Sequence, residues 1–262
     1  MSWMRPLGST GIDVSAIGLG TVKLGRDQGV KYPNGFTIPD DRQVLELLAQ
    51  ARDLGINLID TAPAYGVSEE RLGTLLAGNQ RDWVICSKVG EEFSDGQSHF
   101  DFTPEHTRFS IERSLSRLGV DAIDIVLVHS DGNDMHIIET LGTLQALAEL
   151  KQRGLIRAFG MSTKTVEGGL AAAAQSDAVM VTYNLAQQEE AEVLDACAAQ
   201  GKAGLIKKAL ASGHLADIDN PVQASMDLIL GHAGSTAAIV GTITPAHLQA
   251  NVAAARQALG GG

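Results

Sequence analysis

The feature that most restricts what this chain can become is an eightfold alternation of short apolar, β-branched runs with longer amphipathic stretches. The runs are Ala16 to Leu19, Asn57 to Asp60, Val84 to Lys88, Ile123 to His129, Ile156 to Met161, Val179 to Tyr183, Ala203 to Lys207 and Ala237 to Val240. Near-continuous apolar sequences such as Ile125-Val126-Leu127-Val128 suit parallel strands covered by helices. Eight strand–helix units within 262 residues favour a closed (β/α)8 TIM barrel of the α/β class, one domain spanning 1–262, over an open doubly wound sheet. Upstream, Arg5 to Leu7 and Ile12 to Ser15 flank Gly8-Ser9-Thr10-Gly11 and predict an N-terminal β-hairpin. Thr103-Pro104, Asn220-Pro221 and Thr244-Pro245 each place a capping side chain before proline at a helix start. Gly55, Gly154 and Gly201 stand where helices end.

Composition removes several classes. At 44% hydrophobic and 19% charged residues the chain is ordinary for a globular protein, and no apolar run approaches the roughly 18 residues of a membrane span. Met1 to Leu7 lacks the apolar stretch of a secretory signal, so a cytoplasmic, non-membrane protein is expected. A formal charge of −11 with no dense basic stretch speaks against a nucleic-acid partner. Cys86 and Cys197 read as buried free thiols, and no CxxC or HxxxH spacing suggests a metal.

In such barrels chemistry gathers at the C-terminal strand ends. The second run ends in Asp60, the third in Lys88 and the fourth in His129, each closing a mostly apolar segment. Because strand side chains alternate, Leu58 and Asp60 share a face, as do Val84, Cys86 and Lys88, and Ile125, Leu127 and His129. If these faces point inward, three ionisable groups cap an apolar interior. Taken singly, each has an ordinary structural explanation; their joint occurrence on successive strands does not. Tyr65 lies five residues past Asp60, within reach of the rim. A free phenol, with a pKa of about 10, is poorly matched to proton transfer near neutrality, so a neighbouring Lys88 ammonium is expected to lower it. Asp60 would fix Lys88, and His129 would orient a substrate oxygen.

At these residues the chain resembles the aldo-keto reductase family. Gly55-Ile56-Asn57-Leu58-Ile59-Asp60-Thr61-Ala62-Pro63-Ala64-Tyr65-Gly66, continuing through Ser68-Glu69 to Leu72-Gly73, looks like its most specific signature. Ser87-Lys88-Val89 and Asp124-Ile125-Val126-Leu127-Val128-His129 resemble the segments bearing its lysine and histidine. The resemblance runs from Leu7 to about Ala254 and implies reduction of an aldehyde or ketone, sugars included, by NAD(P)H, or the reverse oxidation. Tyr65 would be the general acid, Lys88 the group tuning it, Asp60 the partner of Lys88, and His129 the carbonyl-orienting donor. The same resemblance assigns cofactor contacts to Thr21, Ser162, Thr163, Lys207, Leu210, Ser212, Gly213, Gly241, Thr242, His247 and Asn251. Here Thr163 stands for the usual asparagine, Met180 for a frequent glutamine, and Lys207 where an aromatic residue or arginine often stacks. NADP is the cofactor this implies, with NAD as the alternative, because no strong basic ligand for a 2′-phosphate is evident beside Gly241 and His247.

The chain finishes in Gly260-Gly261-Gly262 soon after the last helix, so a tail that closes the substrate pocket in many relatives is expected to be missing. Val22, Lys23, the segment Glu91 to Phe102, Ser130 and Asp131 are then the candidates for a substrate loop, with Phe93, Phe100 and Phe102 as an apolar wall and Asp131 for a hydroxyl. The partner expected is a small carbonyl or alcohol, and the oligomeric state is open. Two competing classes are a cofactor-binding regulatory or partner subunit with little turnover, which a large exposed apolar helix face would favour, and a lyase or isomerase using Lys88 for a Schiff base.

Overall fold

The structure, a computed structural model, describes residues 2–30, 35–213 and 219–260. It opens with the expected hairpin: β1 (Met4–Pro6) and β2 (Asp13–Ser15) run antiparallel with Met4 opposite Ser15. Next come β3 (Ile17–Gly20), the short α1 (Val22–Gly25), α2 (Asp41–Asp53), β4 (Leu58–Asp60), α3 (Ser68–Leu75) and β5 (Val84–Val89). β6 (Glu91–Ser94) and β7 (Gln97–Phe100) then form a second antiparallel hairpin, where the sequence predicts only a substrate loop, before α4 (Pro104–Leu118). The remainder is β8 (Ile123–His129), α5 (Asp134–Glu139), α6 (Thr143–Gln152), β9 (Ile156–Ser162), α7 (Val166–Gln175), β10 (Ala178–Thr182), α8 (Ala191–Gln200), β11 (Ala203–Lys207), α9 (Pro221–Gly231), β12 (Ser235–Val240) and α10 (Pro245–Ala258).

The eight strands β3, β4, β5, β8, β9, β10, β11 and β12 pair in parallel, and β12 returns to β3, so the fold is a closed (β/α)8 TIM barrel. Two cores follow from the side-chain alternation. Outward residues such as Ile59, Ile85, Val126, Val128, Val179 and Ile206 pack under the helices. Inward residues Leu58, Val84, Cys86, Ile125, Leu127, Ala158, Ala178, Met180, Ala203, Leu205 and Ala237 fill the barrel. Leu7, Ile12 and Val14 of the N-terminal hairpin belong to that inner cluster, so the hairpin stoppers the end of the barrel opposite the C-terminal strand ends. Gly8 allows this close fit: its φ is +53°, and a Cβ there would lie 2.7 Å from the Gly201 carbonyl oxygen.

Of the expected caps, Thr103 works as anticipated, its hydroxyl accepting from His106 N at 3.2 Å. Asn220 and Thr244 do not cap with their side chains. Asn220 sits in the left-handed region at φ 48°, away from the extended backbone that a capping side chain needs; Thr244 has extended backbone, and its N–H donates to Thr242 Oγ1 at 3.1 Å, while its hydroxyl makes no cap. Gly55, Gly154 and Gly201 all have positive φ, as their helix-ending positions require. Both thiols are free and buried. Among the described residues no helix is long and apolar enough to cross a membrane.

Candidate functional site

The inward faces that line the core with alanine, leucine and valine end in polar groups at the top of the barrel. Lys88, 2% exposed at the end of β5, donates from Nζ to Asp60 Oδ1 at 2.5 Å and to the Thr61 carbonyl at 3.0 Å. Burial is the largest influence and would discharge the ammonium, but the Asp60 carboxylate, joined by Tyr65 and Cys86, outweighs it, and the Lys88 pKa stands above the ordinary lysine value. Tyr65 ends a tight turn over Pro63–Tyr65, where Pro63 at the start fixes φ and Gly66 at the end has φ +63°. A Cβ on Gly66 would lie 2.2 Å from the Gly25 carbonyl, so only glycine lets the turn pack there. The Lys88 ammonium lies 5.2 Å from the Tyr65 ring centroid.

The electrostatics correct one expectation. Burial pushes the Tyr65 phenol above its ordinary pKa, and Lys88 opposes this without reversing it. The reason is that Asp60 already compensates much of the ammonium's charge, so the phenolate is left mostly with its desolvation cost. Tyr65 therefore holds its proton through neutrality, which suits a proton donor better than a base.

His129 closes β8 with its ring edge-on to Tyr65, the centroids 6.3 Å apart and the planes at 88°. Its Nδ1 lies 2.7 Å from Oε2 of Glu91, the first residue of β6. Burial lowers the His129 pKa, with Glu91 opposing. Burial raises the Glu91 carboxyl, but His129, Ser98 and Arg26 overcome it and hold it at about 2. Glu91 falls within the expected substrate loop, Glu91 to Phe102, and has no separate role in that reading. Its acidic character three residues beyond Lys88 was the available signal, but only the second hairpin returns it to His129.

A cavity of about 540 Å³ joins these groups to the C-terminal barrel half. Asp60, Tyr65, Lys88 and His129 all line it, as do Thr21, Ser162, Lys207, Leu210, Gly213, Gly241, Thr242, His247 and Asn251 from the expected cofactor set. The Ser212 side chain lies outside what is described. Thr163 does not reach the cavity: it is fully buried, and its hydroxyl donates to Glu190 Oε1 at 3.4 Å. Glu190, missed in the sequence, also accepts from the Thr182 N–H at 2.8 Å and so draws Thr163 away from the opening. Met180, which stands where the resemblance often puts a glutamine, lines the wall, while Lys207 Nζ donates to Ser162 Oγ at 3.0 Å and to the Thr163 carbonyl. Burial lowers the Lys207 pKa to about 8, with Glu190 opposing. Lys208, Val222 and Ile239 are further lining residues without a sequence signal.

The expected aromatic wall is not part of this cavity. Phe102 is buried against Gly90, Phe100 stacks on Phe102 at 6.0 Å, and Phe93 lies under the Arg26 guanidinium at 3.4 Å, so the three rings anchor the second hairpin. Asp131 is likewise absent from the lining; its carboxylate accepts from Asn133 N–H and Nδ2 at 2.8 and 3.0 Å and shapes a turn. Of the proposed substrate-loop residues, Val22 and Lys23 do border the opening.

Comparison with known proteins agrees with this geometry. Residues 16–227 match the model of the aldo/keto reductase family. A crystal structure of a candidate aldo-keto reductase from Pseudomonas aeruginosa is 58% identical, with a TM-score of 0.90 over 98% of this chain and 95% of that one. The NADH-specific methylglyoxal reductase of Escherichia coli is 37% identical over 59% of this chain and 50% of its own length. Pyridoxine 4-dehydrogenase of Escherichia coli is 28% identical over 92% and 89%. The chain spans about half the length of several curated relatives that it matches. With the family model covering most of the chain and the barrel closed as that family's relatives imply, the protein belongs to the aldo/keto reductase family.

Proposed function

We propose that the protein is an NAD(P)H-dependent oxidoreductase that reduces an aldehyde or ketone, sugar aldehydes among them, or oxidises the corresponding alcohol. The observation carrying this reading is the buried Asp60–Lys88 pair behind a protonated Tyr65, with His129 edge-on, all on one cavity. In reduction the Tyr65 phenol delivers its proton to the substrate oxygen. Lys88 stabilises the phenolate left behind, and Asp60 keeps the ammonium charged in a dry setting. His129 orients the oxygen. When bound, the nicotinamide supplies the hydride.

The residues present fit such a cofactor. The cavity extends from Lys88 to Asn251, its size falls in the range of small-molecule sites, and it brings Lys207 and Lys208 together in a chain whose net charge is −11. Ser162 and Lys207 would meet the carboxamide end, Leu210 and Gly213 the phosphates, and Asn251 the adenine. NADP is the first choice by family resemblance. NAD is favoured by His247, which carries no fixed charge for a 2′-phosphate, and by the NADH named for the methylglyoxal reductase.

The competing classes find less support. Large exposed apolar side chains among the described residues, including Leu45, Val67, Phe109 and Leu170, sit on separate elements rather than on one docking face. Lys88 is held charged by Asp60, the wrong state for imine formation. The test is to follow NADPH and NADH absorbance with a panel of aldehydes, ketones and sugars. Consumption with at least one carbonyl supports the reading, and absence of detectable binding of either nucleotide overturns it.

A further inference from the structure

The second hairpin carries a group that no family resemblance assigned. Glu91 Oε2 lies 2.7 Å from His129 Nδ1, while its other oxygen, Oε1, accepts from Ser98 Oγ at 2.5 Å across the β6–β7 pair. The hairpin is held in place by Phe102 packed on Gly90, by Phe100 stacked on Phe102, and by Phe93 under Arg26, whose guanidinium also donates to the Ala64 carbonyl at 2.9 Å in the Tyr65 turn. Glu91 is thus fixed from behind. The ionisable groups facing the pair are Tyr65 from its turn, Lys88 from β5, Lys207 from β11 and Arg26 after α1.

We propose that Glu91 is a positioning residue that holds the Nδ1 proton of His129, and thereby dictates what Nε2 offers the substrate. A neutral imidazole has one N–H, and a carboxylate can only accept; although the contact falls short of hydrogen-bond alignment, a bare Nδ1 lone pair 2.7 Å from a carboxylate oxygen would be repelled by it, so the proton stays on Nδ1. Nε2 is then a lone pair, an acceptor for the hydroxyl of an alcohol. When the ring gains a second proton, Nε2 becomes a donor to a carbonyl oxygen, and the Glu91 anion stabilises the imidazolium. Carbonyl reduction is helped by the charged ring and alcohol oxidation by the neutral one, so Glu91 ties the preferred direction to pH. This inference rests on the proposed reaction for its kinetic consequence, but not for its tautomer.

The test has two arms. Nitrogen-15 NMR of the histidine side chains in the wild-type protein, with His129 assigned by the loss of its signals in His129→Gln, should show neutral His129 protonated on Nδ1. In Glu91→Gln the ring should titrate about one unit lower, having lost its anion, and Glu91→Asp should recover part of that shift. The pH profile of kcat/KM for carbonyl reduction should move with it, giving about a tenfold loss on the limb at fixed pH, with KM for cofactor unchanged. A neutral ring protonated on Nε2, or an unaltered titration in Glu91→Gln, overturns the proposal. A chain without any turnover would defeat the reaction assigned above, yet leave the NMR arm decisive for Glu91. Should Glu91→Gln not fold, the wild-type tautomer still decides.

Discussion

A buried ammonium is costly unless an anion meets it, and two of the lysines that line the cavity, Lys88 and Lys207, show both outcomes. Lys88 has Asp60 at 2.5 Å and stays charged; Lys207 has hydroxyl and carbonyl partners, with Glu190 acting from further off, and is pulled to about 8. The sign is definite. With a folded value below the ordinary 10.5, Lys207 sheds its proton first as pH rises, so stability gains between about pH 8 and 10.5 while the positive charge offered to a bound nucleotide is lost through about pH 8. Nucleotide affinity measured by fluorescence titration should therefore weaken above pH 8 in the wild type, and be flatter with pH in Lys207→Met; an equally steep dependence in the variant would remove Lys207 from the site. At this scale the sequence was most legible where chemistry coincides with a strand end. Asp60, Lys88 and His129 were identifiable because strand alternation fixes which residue faces in. The pKa of Tyr65 was not, since burial competes with Lys88 and sequence carries no measure of burial.

Elements repeat this division. The barrel strands could be read to within two residues from apolar runs, and the first hairpin from Gly8-Ser9-Thr10-Gly11. The second hairpin could not. Its segment, Glu91 to Phe100, is mostly polar and exposed at β7, and its turn at Asp95-Gly96 lacked the flanking apolar alternation that marks a hairpin. What anchors it is tertiary, the fit of Phe102 on Gly90. A Cβ at position 90 would lie 2.4 Å from Phe102 Cε1, and φ there is +98°, so Gly90→Ala strains both backbone and ring. We expect a loss of about 1–3 kcal/mol in denaturant unfolding, together with reduced kcat/KM because Glu91 is displaced from His129. Unchanged stability would mean that the hairpin is not pinned at this point.

For the molecule as a whole, the barrel separates stability from chemistry along its axis. Leu7, Ile12 and Val14 fill the end opposite the ionisable groups, and the layers of Leu58, Val84, Ile125 and Leu127 lie between. Leu7→Ala should cost about 2–5 kcal/mol by opening a cavity in a fully buried layer, while KM and kcat at ambient temperature stay near wild type. A matching fall in kcat would show that the stopper is coupled to the site. The same separation bears on the proposed cofactor: in a chain of net charge −11, Lys207 and Lys208 gather positive charge at one end of a mostly apolar cavity, where the proposed nucleotide would need it. The central claim, that Tyr65 delivers the proton, is tested most directly by steady-state turnover of Tyr65→Phe at saturating nucleotide. The account predicts kcat lower by about 10²–10⁴-fold with nucleotide affinity retained, and unchanged turnover would contradict it.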